Sequence, residues 1–134
     1  MSAVERVAYD FAVLRLVPHP HLERWIPIGV VLHARTESFL DARVLDDREA
    51  LRALAPDVDA EVLVRYLRNW IAIARGERAA GPVALYPPSE RFHWLTCPRS
   101  DVLQSSPVRR GLAVDPADAL DRLWTEHVDR RPAP

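Results

Sequence analysis

Arg91, Arg99, Arg109 and Arg110 lie close together along the chain, with Ser100, Gln104, Ser105 and Ser106 between them. Only Glu90 and Asp101 oppose them between positions 90 and 111. Guanidinium groups bind carboxylates and phosphates through paired hydrogen bonds, and hydroxyls and amides add donors beside them. The segment could therefore hold an anion or meet the acidic face of a partner. Lysine is absent and all 18 basic residues are arginine, so every basic contact must be a planar fork. The stretch CPRSDVLQSSPVRRGL, Cys97 to Leu112, lacks helical periodicity and stands between two helical patterns. Two readings stay open for it. One is a recognition loop, in which Pro107 holds Ser106 extended and presents Val108 and Arg109. The other is a structural connector with a strand near Val102 to Gln104 and Arg99 in an ion pair.

Support for catalysis is thinner. The chain has no Gly-rich phosphate loop, no Ser-His-Asp order and no His-Glu-x-x-His. The paired carboxylates Asp46 and Asp47 suit helix capping. His19 and His21 flank Pro20 and could chelate a metal if a third ligand folded nearby, but the sequence shows none. Exposed loop histidines are expected there, and His33, His93 and His127 are scattered. Cys97 is the only cysteine, which excludes an intrachain disulfide or a cysteine zinc site. Arg99 could depress its pKa, but no base is evident beside it, so an inert, at least half-buried thiol is expected. No catalytic residue, metal site or cofactor is expected.

The elements that position these groups follow from periodicity. Tyr9 to Val17, Ile26 to Ala34 and Ser38 to Leu45 read as strands. Alternation places Ile26, Ile28, Val30 and Leu32 in one row of the second, and Leu40, Ala42 and Val44 in the buried row of the third. Pro27 lacks a ladder donor and should sit at an edge, a strand end or a bulge. Asp46 or Asp47 caps a short helix through Leu54. Leu63, Tyr66, Leu67, Trp70, Ile71 and Ala74 then form a long apolar stripe that stops at Gly76. Ser89 to Leu95 can form one or two helical turns. The last helix opens at Asp115-Pro116 and carries Leu120, Leu123, Trp124 and Val128 on its stripe. Trp70 and Trp124 are expected in the core, whereas Trp25, beside Arg24 at a strand start, fits no stripe. The predicted fold is α+β: an antiparallel sheet of three or four strands with the two main helices packed on one face. Residues 8–129 make a single domain, and 130–134 a frayed tail.

Composition bounds the function. With 134 residues, 49% hydrophobic and 28% charged, the chain can build a core and is too apolar for disorder. A net charge of -1 gives no overall pull toward nucleic acid or anionic membranes. The start MSAVERVAYDF does not resemble a signal peptide, and no apolar run could span a bilayer, so a cytosolic protein is expected.

The blocks RFHWLTCPRSDVLQSSPVRRGL and DPADALDRLW, preceded by YDFAVLRLVP and IGVVLHAR, resemble the bacterial DUF3037 family from about Tyr9 to Val128. Two positions depart from its pattern. Pro27 stands where a polar residue is expected, and Arg109 where histidine is frequent. The family has no established activity. Its members are often encoded beside HipA-like kinases, so the resemblance implies such a kinase as a partner. The expected function is a cytosolic protein-interaction module, such as an accessory or regulatory subunit of a HipA-like kinase. The alternative is a small enzyme or ligand-binding domain that recognises a phosphorylated or carboxylate ligand through segment 97–112.

Overall fold

The computed structural model describes residues 5–97 and 102–129. Arg99 and Ser100 of the arginine-serine segment, and the tail from 130, lie outside these residues. Five strands form one antiparallel sheet: β1 (Val7–Leu16), β2 (Ile26–Ala34), β3 (Phe39–Val44), β4 (Leu103–Ser105) and β5 (Arg109–Ala113). β2 lies between β3 and β1, and the far edge of β1 pairs with both β4 and β5. The polar segment that breaks helical periodicity thus supplies an edge strand in two pieces. Leu14 faces Ser105 and Phe11 faces Arg109, so the edge gains one residue on β1 across this step, as in a bulge.

A second bulge decides how the sheet is covered. Leu14 faces Gly29 but Arg15 faces Pro27, leaving Ile28 as the extra residue. Pro27 sits beside this irregularity, where a missing donor is tolerated. The bulge also splits the expected apolar row of β2. Ile28 packs with Ala12, Leu14, Leu16, Val31 and Ala42, whereas Val30 and Leu32 pack with Tyr9 and Phe11 in a second core. Because an extra residue inverts the alternation, one apolar row serves both faces of the sheet.

Four helices close these faces: α1 (Arg48–Leu54), α2 (Ala60–Ala74), α3 (Pro88–Thr96) and α4 (Pro116–His127). Asp47, Asp59 and Asp115 cap α1, α2 and α4 by accepting from backbone N–H groups of the first turn. Leu63, Leu67, Trp70 and Ile73 of α2, with Phe92 and Leu95 of α3, belong to the first core. Leu120 and Leu123 of α4 belong to the second. The two main helices therefore cover opposite faces of the sheet, not one as the periodicity suggested. Trp70 is buried, while Trp124 is half-buried at the rim of the second core beneath the Arg43 guanidinium, 4.7 Å from the ring centre.

His33 is buried on the α2 face, with its ring 5.4 Å from that of Phe92. Burial lowers its pKa, Asp10 opposes that shift, and Arg35 and Arg91 reinforce it. The unfolded chain therefore takes the proton more readily than the folded one. Stability should be intact above the unfolded value, about 6.5, and fall as pH drops from there toward the lower folded value. Urea unfolding at pH 7.5 and 5.5 checks this: the parent loses stability over the interval, and His33→Leu loses less. Equal losses would take His33 out of the account.

Candidate functional site

A cavity of about 200 Å³ opens on the α4 face, where the edge strand breaks. Phe11, Val13 and Arg15 line it from alternate positions of β1, Trp25 and Pro27 from the start of β2, Ser106 and Arg109 from the broken edge, and His127 from the last turn of α4. The bulge at Leu14/Arg15 and the gap between β4 and β5 meet here, so two interruptions of the ladder make the recess.

The Arg15 guanidinium lies over the Trp25 ring, with Cζ 4.0 Å from the ring centre. A cation over an indole face contributes about 0.5–1 kcal/mol at an exposed site. It also accounts for Trp25, which is 49% exposed and belongs to no core. The Nε of Arg15 is buried and donates to nothing. An unpaired buried donor costs about 1–3 kcal/mol. Arg109 makes no ion pair among the described residues. No carboxylate among them lines the recess. Two guanidinium groups and an imidazole thus converge with no acid to neutralise them.

The other candidates separate into distinct roles. Ser106 is buried, and its Oγ accepts from Val13 N at 2.8 Å and donates to the Pro107 carbonyl at 3.0 Å. That hydroxyl replaces a ladder partner at the break and is committed to the backbone. Ser105 Oγ donates to the Ser106 carbonyl at 2.8 Å, and Gln104 stands directly across from Arg15. Arg110 points to the opposite face and pairs with Asp10 at 3.4 Å. Arg91 lies apart from this cluster. Its Nη1 donates to the Ile73 and Ala74 carbonyls at the end of α2, and its Nε to the Tyr86 carbonyl. Proximity in the chain groups Arg91 with Arg109, whereas the fold brings Arg15, Trp25 and His127 to Arg109 instead. The available signal was an arginine in an apolar strand and a tryptophan outside every stripe.

A family described as a protein of unknown function, DUF3037, matches residues 11–128. The chain belongs to that family. No curated protein and no solved structure gives a match. In this DUF3037 protein Pro27 and Arg109 both line the recess. Among the described residues, no helix is long and apolar enough to cross a membrane, and no group of three or more His, Cys, Asp or Glu could hold a metal ion.

The DUF3037 chain carries a second cleft, of about 550 Å³, lined by Tyr86, Ser89, Glu90, His93, Trp94 and Cys97. The expectation that Cys97 has no base beside it does not hold. Cys97 does have a base nearby, because His93 stands one helical turn earlier with Nε2 3.7 Å from Sγ. The spacing in HWLTC, four residues apart on a helix, was the overlooked signal.

Proposed function

We propose that this DUF3037 protein is a cytosolic binding module that captures an anionic group of a protein partner between Arg15 and Arg109. One observation carries the reading: two arginines without carboxylate partners among the described residues, one seated over Trp25 with a buried unpaired Nε, line the same recess. Its volume, about 200 Å³, lies below the ~300–1,000 Å³ of pockets that enclose drug-sized ligands. That size suits a carboxylate or phosphoryl head group presented by a larger molecule. The one hydroxyl facing the recess is tied to the backbone at Ser106, which favours binding over nucleophilic chemistry. A HipA-like kinase is the partner that the family resemblance implies for such a module.

Titration with inorganic phosphate and with acetate, followed by indole emission, tests this reading. Trp25→Phe identifies the signal that comes from the recess. Arg15→Met and Arg109→Met should each weaken binding about tenfold, the loss of one charge-assisted contact. Added chloride should weaken the parent too, since the recess is open to solvent. Cys97→Ser should leave the affinity unchanged, because α3 packs on the other face of the sheet. Arginine variants that bind both anions as the parent does would end the proposal.

A further inference from the structure

We propose that the free edge of β5 accepts an extended acidic segment of a partner protein as an additional antiparallel strand, which delivers one acidic side chain to Arg109 at the rim of the recess. The proposal rests on the anion-binding reading above and specifies what presents the anion. β5 pairs with β1 along one edge, and no other described strand pairs with it. Val13 turns both its N–H and its C=O toward Ser106. Residues two apart in a strand face the same neighbour, so Phe11 and Tyr9 turn theirs to Arg109 and Gly111. Arg110 and Leu112 then direct their backbone groups away from the sheet, spaced as a strand ladder requires. Leu112 is 60% exposed, and Val108 and Val114 beside it are exposed as well.

Charge decides the occupant. β5 carries Arg109 and Arg110 and no acid. A second copy paired along this edge would bring four guanidinium groups to one seam, with Asp10 compensating only Arg110 in each copy, and basic residues on an edge oppose self-pairing. An acidic strand meets the same groups favourably. Read antiparallel, its residues would face Leu112, Gly111, Arg110 and Arg109 in turn, a pattern of apolar, any, acidic, acidic. The acid opposite Arg109 falls on the α4 face beside the recess. The residue opposite Gly111 meets the Tyr9 ring, which fills the space that a Cβ there would occupy, 2.4 Å from the ring.

The probe is a fluorescein-labelled peptide, Thr-Val-Thr-Asp-Asp-Thr, compared with a copy N-methylated at alternate amides and with a scrambled copy of equal charge. Anisotropy with the full chain should show the first peptide binding about tenfold more tightly than either control, and Arg109→Met should remove about tenfold of that affinity. N-methylation leaves the acids in place and blocks the ladder, so the comparison needs no variant that could misfold. Equal binding of the parent and N-methylated peptides would overturn strand addition while leaving the anion site intact. No binding of any peptide, with phosphate still held by Arg15 and Arg109, would overturn it too. A dimer in sedimentation that Leu112→Glu dissociates would assign the edge to a second copy and end the proposal. Failure of the anion reading itself appears separately, as phosphate binding indifferent to Arg15→Met.

Discussion

Trp70→Ala should lower the unfolding free energy by about 3–5 kcal/mol, a large part of the ~5–15 kcal/mol that holds a typical domain together. Trp70 sits on the inner stripe of α2 and is 2% exposed, between the sheet and α3. Its indole N–H donates to the Leu95 carbonyl at 3.2 Å, tying α2 to the end of α3. Truncation opens a cavity and leaves a buried carbonyl without its donor. Trp70→Phe keeps most of the packing and loses only the bond, so it should cost much less. Trp124→Ala should also cost less, because Trp124 is half-buried and touches the Arg43 guanidinium at the rim. Denaturant melts of the three variants check the order. If Trp70→Ala unfolds like the parent, the indole is not the link between α2, α3 and the sheet.

Arg91→Leu should destabilise the fold by about 3 kcal/mol and leave phosphate affinity at the Arg15–Arg109 recess unchanged. The side chain makes three bonds to backbone carbonyls: Ile73 and Ala74 in the last turn of α2 at 3.0 and 2.9 Å, and Tyr86 before α3 at 2.8 Å; Ile73 also accepts from Gly76 N at 3.1 Å. Hydrogen bonds to a charged donor contribute about 1.5–3 kcal/mol each, but water reaches part of this site, so the sum is not realised. A cation at a helix C-terminus also opposes the macrodipole favourably. Gly76, with φ +69°, ends α2 here, and a Cβ would crowd Arg91 Nη1 at 3.2 Å. A variant with unchanged stability and weakened anion binding would return Arg91 to the binding surface.

Local pattern made most of the elements legible. Asp47 and Asp115 cap helices because a short acidic side chain satisfies the first free N–H groups, a contact contained within a few residues. The stripe of α2 and the strands around Phe11, Val31 and Ala42 were readable because periodicity reports a face. Arginine was readable too, as a demand for anionic partners. His93 and Cys97, one helical turn apart, were also within reach of spacing alone.

Which face, and which arginine, depended on contacts distant in the chain. A bulge at Ile28 inverts the alternation of β2 and sends one apolar row to two cores, so α2 and α4 lie on opposite sides of the sheet. Arg15 and Arg109 line one recess because β4 and β5 both pair with β1, with Phe11 directly across from Arg109. Arg91, nearer to Arg109 in sequence, is drawn away because backbone carbonyls in the last turn of α2 are strong acceptors for a charged donor. The sequence by itself determined the α+β class, the caps, the stripes and a chain whose only strong cation is arginine. The tertiary structure alone decided which guanidinium groups stay unpaired, because that depends on every carboxylate and carbonyl the folded chain brings within hydrogen-bond reach.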